Sequence, residues 1–192
     1  MKSKRTVILI VLFLLIAATP VVFLQQTRRG LYFKDFSYLI ESIEQEELDE
    51  FIEYCSDPNE DSFSYYNNEI RFPSDNAQDY CKIRIYTTID NFSILNYMRC
   101  DSFIADFGEN SRISFALPNS VADFIEPFSK SICIPIGTLC FYRAGMNEDD
   151  IQNYIKKLNL RLLFTNRFYD DVSYTIHLEK ESVKRLSENP FS

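Results

Sequence analysis

Glycine is nearly missing from this chain. Only four of its 192 residues are glycine, and GxGxxG, GxxxxGK[ST] and GxSxG are all absent. That leaves no dinucleotide fingerprint, no phosphate-cradling P-loop and no nucleophile elbow. Histidine is scarcer still. His177 stands alone, so no histidine cluster can hold a metal, and a hydrolytic triad would rest on that one residue. The five cysteines, Cys55, Cys81, Cys100, Cys133 and Cys140, contain no CxxC, the spacing of zinc ribbons and thioredoxin-like sites. Internal repeats and low-complexity tracts are absent too.

Positive charge is also short in most of the chain. Fifteen of the 20 basic residues and all 28 acidic ones follow Gly30, giving that part a formal charge of −13. Such a domain repels nucleic-acid phosphates and anionic surfaces, so no nucleic-acid partner is expected. No cofactor is expected, and no catalytic residue can be named. Carboxylate pairs for glycoside chemistry would converge only in the fold.

One long uncharged run stands out. Thr6 to Leu24 is 19 residues without a charge, following Lys2, Lys4 and Arg5 and preceding Arg28 and Arg29. As a helix it nearly matches the ~30 Å hydrocarbon core of a bilayer. A cleaved signal peptide has a shorter apolar region and small residues at −3 and −1 of the cut. Cutting after Ala18 places Ile16 at −3, and cutting after Thr19 places Pro20 at +1. Both are poor sites, so an uncleaved anchor is the expectation. Pro20 is compatible with a span, where other groups re-satisfy the freed carbonyl. The short basic tail and five cysteines, which suit an oxidising space, set the expected orientation: N-terminus cytoplasmic, domain extracytoplasmic.

The chain therefore divides into a basic tail at 1–5, a single-pass signal-anchor helix at 6–24, a juxtamembrane linker at 25–34 and one acidic domain at 35–192. Aromatics make up 15% of the chain, enough for a core. Phe36, Leu39, Ile40, Ile43, Leu48, Phe51, Ile52 and Cys55 recur at three- and four-residue steps, which predicts a helix from Asp35 to Cys55 with its acids outward. Gly30 is the expected joint to the span. Strands are predicted over Ser62–Pro73 and Asp79–Ile89, with a turn at Pro73–Asn76. In the second strand Cys81, Ile83 and Ile85 alternate with Lys82 and Arg84.

Phe103–Phe107 and Arg112–Leu117 predict two more strands, joined as a hairpin by Gly108–Ser111. Asn119 or Ser120 caps a short helix ended by Pro127. Ile132–Arg143 is extended but broken at Pro135 and Gly137. Asn147 caps a helix opening on Glu148, Asp149 and Asp150, with Ile151, Tyr154, Ile155 and Leu158 as its apolar stripe. Leu160–Phe164 and Val172–Leu178 form a closing hairpin. The fold class is α+β, with a mostly antiparallel sheet and two to three helices besides the anchor.

Cys133–Cys140 is the preferred disulfide, because Pro135 and Gly137 could reverse the chain between them; Cys81–Cys100 is the second choice. Five buried free thiols are the competing expectation. His177 falls on the polar side of its strand, as a surface histidine does. Asp57–Asp61 begins like a calcium loop but has Ser62 where glycine is required and Asn68 where glutamate is required. Asn91-Phe92-Ser93 matches a glycosylation sequon, relevant only in a eukaryotic secretory pathway. Tyr65, Tyr66, Phe168 and Tyr169 are candidate interaction aromatics. These features suggest a binding or assembly module, held at the membrane through 6–24 and presenting its acidic domain to a protein partner. The alternative is an anchored enzyme acting on envelope polymers.

Overall fold

A computed structural model describes residue 13 and residues 30–56, 72–92, 97–105, 112–118, 125–166 and 171–191. These form β1 (Leu31–Ser42), α1 (Gln45–Ser56), β2 (Tyr80–Asn91), β3 (Met98–Ala105), β4 (Ile113–Pro118), β5 (Ile132–Tyr142), α2 (Glu148–Ile155), β6 (Asn159–Asn166), β7 (Asp171–His177) and β8 (Val183–Arg185). The large sheet runs β4-β5-β2-β1-β8 and the small sheet β3-β6-β7. All pairings are antiparallel except β1 with β8. The domain is thus α+β, with mostly antiparallel sheets and two helices among the described residues.

The long strands of the large sheet bury side chains on both faces. On one face Phe36, Tyr38, Ile83, Ile85, Leu139 and Phe141 meet Leu160, Leu162 and Phe164 of the small sheet. Ile151 and Ile155 of α2 close the same core. On the other face α1 covers one end, where Ile43, Leu48, Phe115, Tyr80 and Cys140 pack together with Phe51 and Ile52. Each fully buried aliphatic or Phe side chain stabilises the fold by about 1.5–3 kcal/mol.

Double coverage explains the main departure from the sequence reading. Residues 35–42 are strand, not helix, and α1 starts only at Gln45. Phe36 and Tyr38 face the first core, with half-buried Ile40 packed against it, while Leu39 is buried on the opposite face. A strand buried on both sides loses its polar/apolar alternation, so apolar steps of three and four arise by accident. No glycine or proline marks the change at 43–44. The fold also starts earlier than the expected boundary, since Leu31 to Lys34 belong to β1 and not to a linker.

Elsewhere local signals held. β2 alternates as expected, with Cys81, Ile83 and Ile85 inside and Lys82 and Arg84 half-buried on the other face. Asn147 caps α2 through a reciprocal capping box with Asp150. β6 and β7 pair in register from Asn159↔His177 to Thr165↔Asp171. β5 is continuous through Pro135 and Gly137; the expected break is only a bulge, where the register skips opposite Ile85 and Tyr86. β3 and β4 do not form a hairpin, because β3 pairs with β6 and β4 with β5. Most of the helix expected from Asn119 to Pro127 and most of the strand expected from Ser62 lie outside the described residues; Ile125, at the helix's expected end, instead bridges to Met98.

Phe141 joins the large sheet to α2, its ring 5.0 Å from that of Tyr154 in an edge contact. Phe141→Ala is expected to lower stability by about 3–5 kcal/mol, because the rigid sheets cannot collapse into the void. Asn147→Ala is expected to cost only about 1 kcal/mol. Urea unfolding of the two variants measures both; a cost at Phe141 no larger than at Asn147 would contradict this packing.

Candidate functional site

The large sheet has two chemically different ends. At its base the chain enters through Gly30, whose carbonyl accepts from the Phe92 amide at 2.7 Å. The Asn91 amide donates to the Ser129 carbonyl at 2.8 Å, and Asn91 Nδ2 donates to the Ile125 carbonyl at 3.0 Å. Beside them sits a compact polar constellation. Asp90, only 4% exposed, accepts from the Ser131 amide at 2.6 Å and lies 2.9 Å from Lys34 Nζ. Lys34 Nζ also donates to Ser131 Oγ at 2.7 Å.

Backbone irregularities place these groups. The β1–β2 register skips between Phe33 and Asp35, so Lys34 is the extra residue of a bulge and swings towards Asp90. Ser131 has φ 53° and Phe128 has φ 59°, a left-handed conformation uncommon for residues with a Cβ. The Ser131 amide is the main cause holding the Asp90 carboxyl below its ordinary range, with the Lys34 ammonium adding to it. The Ser131–Lys34 contact has the outline of a serine–lysine dyad. Lys34 Nζ is, however, shared between Ser131 Oγ and the Asp90 carboxylate, an ion pair that occupies the lysine a serine nucleophile would need as its base. The constellation is a clamp on the 125–131 turn, not an activated nucleophile.

The far end of the sheet carries α1. Gln45 fastens the helix start, accepting from the Ala77 amide at 3.0 Å and donating to the Asp75 carbonyl at 2.9 Å. Glu47 points inward to Lys82, with both oxygens within 2.9 Å of Nζ. Glu46, Asp49, Glu50 and Glu53 remain exposed, and among the described residues no cation faces Glu46, Glu50 or Glu53. Of the seven acids expected on the outer face of one helix, Glu46, Asp49, Glu50 and Glu53 stand exposed on α1, Glu47 turns to Lys82, and Glu41 and Glu44 precede the helix. Glu41 instead lies 2.7 Å from Arg84 Nε within the sheet.

A shallow hollow of about 380 Å³ lies beside α2, lined by Arg112, Met146, Asp150, Asn153, Tyr154 and Lys157. Its main polar groups already serve the fold. Arg112 Nη1 donates to the Ala144 carbonyl at 3.0 Å, the Arg112 amide donates to Tyr154 Oη at 3.2 Å, and Asp150 completes the α2 cap.

The cysteines correct the disulfide expectation. Cys133 and Cys140 lie on one extended strand, seven residues and hence about 23 Å apart, whereas a bridge needs Cα atoms within about 7 Å. Cys81 belongs to the large sheet and Cys100 to the small one, and all five thiols are free. Burial pushes Cys140 up to about 12 and Cys81 and Cys55 each up to about 11, and raises Cys133 as well. At neutral pH these four are protonated and unreactive. His177 is exposed, its Nδ1 2.6 Å from Asn159 Oδ1, as a surface residue would be. Tyr65, Tyr66, Phe168, Tyr169 and the 57–61 segment lie outside the described residues. Among the described residues no three metal-ligating side chains converge.

Two outcomes follow from this chemistry. Alkylation without reductant is expected to modify all five cysteines after denaturation and to leave buried Cys81, Cys100 and Cys140 untouched in the native protein; a bridged pair in peptide mapping would contradict it. The low folded-state pKa of Asp90 gives a stabilisation that is complete above its unfolded value of about 3.9 and is lost as pH falls through the folded value. Asp90→Asn is expected to flatten the acid limb of a melting-temperature profile while lowering stability at neutral pH. Compared with models of known protein families and with curated proteins, the chain matches none of them.

Proposed function

We propose that this chain is a membrane-anchored binding or assembly module, held by the apolar run at 6–24 and presenting its acidic domain to a basic protein surface outside the cytoplasm. The observation that carries the reading is the polarity of the large sheet. The chain enters at Gly30, β1 runs 12 residues to Ser42, and α1 follows at that far end. At ~3.3 Å per residue the acidic helix stands about 35–40 Å from the anchor's point of entry. A rigid sheet separates the tether from the charged display.

Among the described residues no helix is long and apolar enough to cross a membrane, and the run at 6–24 lies outside them apart from residue 13. The span therefore rests on its sequence. Orientation no longer draws support from the cysteines, which are free. It draws support from charge. Lys34, which would otherwise count on the far side of the span, is ion-paired to buried Asp90. That leaves Arg28 and Arg29 against Lys2, Lys4, Arg5 and the α-amino group. The enzyme alternative finds less support, since Lys34 is ion-paired to Asp90 beside Ser131 and Arg112, Asp150 and Tyr154 of the hollow near α2 already serve the fold.

Capture of the full chain from crosslinked membranes tests the reading. Wild-type protein is expected to retain a specific partner that high salt releases. Combined Glu46→Lys, Glu50→Lys and Glu53→Lys is expected to reduce recovery about tenfold or more through like-charge repulsion. Recovery unaffected by charge reversal would remove α1 from the interface. No partner at all, with turnover of an envelope polymer, would overturn the binding role.

A further inference from the structure

We propose that the base of the large sheet is itself a bilayer-contacting face, with Tyr32, Phe92, Phe128 and Ile132 seated at the boundary between headgroups and acyl chains. This inference rests on the anchor reading above and adds a second, independent contact with the membrane.

The first support is where apolar surface is exposed. Beyond residue 13, the described residues expose five large hydrophobic side chains: Tyr32 58%, Phe92 54%, Phe128 64%, Ile132 39% and Phe191 57%. Four of the five share the base. The Tyr32 and Phe92 ring centroids are 6.4 Å apart. Ile132 pairs with Ile89, three residues from Phe92. Phe128 is adjacent to Ser129, which accepts from the Asn91 amide. Phe191 lies elsewhere, its ring 6.0 Å from Tyr86. Clustered exposed apolar groups mark a contact surface, and aromatic side chains in particular collect at membrane interfaces.

The second support is the tether. Leu24 ends the apolar run and Gly30 begins the described domain, so six residue steps join them. Fully extended, they reach at most about 22 Å, and the headgroup layer on each side of the hydrocarbon core is about 5–8 Å deep. The base cannot leave the neighbourhood of the lipid surface. Among possible occupants the bilayer is the one the chain itself delivers to this face.

Charge at the base is the third support. The domain is acidic as a whole, which opposes approach to anionic lipid. At this end the Asp90 charge is cancelled by Lys34, and exposed Lys130 stands in the same turn as Phe128. Exposed Glu126 and half-buried Asp35 remain as local acids. The clamp of Lys34, Asp90 and Ser131 holds the turn, and a Glu126 carbonyl accepting from Ser129 Oγ at 2.6 Å tightens it. The Phe128 ring is thereby fixed outward. Contact at the base sets the strands of the large sheet upright, with α1 facing away from the membrane.

The chain contains no tryptophan, so single substitutions give unambiguous fluorescence probes. Phe92→Trp and Phe128→Trp, each in the full chain reconstituted into phosphatidylcholine–phosphatidylglycerol vesicles, are compared with Gln78→Trp. Gln78 is exposed and lies beyond the other end of β2, about 35–40 Å away. The two base probes are expected to emit blue-shifted light and to lose most of it when the lipids carry bromine high on the acyl chains. The Gln78 probe is expected to be unaffected. Carbonate extraction of the same vesicles reports the anchor separately. Unquenched base probes, whether or not the chain resists extraction, overturn the proposal, and blue-shifted but unquenched emission assigns the face to a protein neighbour. Quenched base probes in an extractable chain sustain the lipid contact while the anchor reading fails.

Discussion

Burial of both faces of the large sheet is the constraint from which the rest of the structure follows. β1, β2 and β5 contribute Phe36, Ile83 and Phe141 to one core. Ile43, Tyr80 and Cys140 belong to the other. A sheet covered on one side could twist and tilt against its single layer. Held between the small sheet with α2 on one side and α1 on the other, it becomes a stiff slab. α1 covers only the end reached by Ser42 and Cys81. The opposite end has no helix over it among the described residues and exposes Tyr32, Phe92 and Phe128 instead. The two unlike ends are a consequence of uneven coverage.

That constraint also decides what could be read from the sequence. Signals complete within about twenty residues were legible: the Lys82/Arg84 alternation of β2, the Asn147–Asp150 cap of α2 and the β6–β7 hairpin. β1 was not, because second-face burial of Leu39 overwrote its alternation and left a pattern that a helix also satisfies. Pairing was not legible either. Gly108–Ser111 has good turn chemistry, yet turn chemistry does not choose partners, and β3 and β4 go to different sheets. The Lys34–Ser131 contact joins residues 97 apart, beyond any local pattern. Its one local trace is a lone lysine in an otherwise apolar and aromatic stretch, Leu31-Tyr32-Phe33-Lys34.

The cysteines stay unbridged for a physical reason. Pro135 and Gly137 suggest a chain reversal, but β2 pairs with both of them and β4 reaches Gly137 from the other side, so β5 runs on through them. The irregularity they carry is absorbed as a bulge, which costs one residue of register and not the strand. Free thiols at Cys81, Cys100 and Cys140 then behave as small apolar core groups. They are compatible with either side of a membrane, since burial and not compartment keeps them protonated. The number of cysteines was informative about packing and silent about location.

Location is better argued from charge that is cancelled. A residue counts toward membrane orientation or surface repulsion only if its field reaches the lipid. Lys34 and Asp90 neutralise each other at 2.9 Å, so neither adds to the flanking charge of the apolar run nor to the acidity of the base. The formal −13 that follows Gly30 is therefore unevenly distributed. Exposed Glu46, Glu50 and Glu53 stand at the far end, a sheet's length from the entry point and several Debye lengths from it at physiological salt, where the Debye length is ~8 Å. At that distance their repulsion of anionic lipid is screened, while any basic partner close to α1 feels them fully. On the proposed reading, the sheet that keeps tether and acids apart would let one chain sit on a negatively charged surface and still offer a negative face to a basic partner.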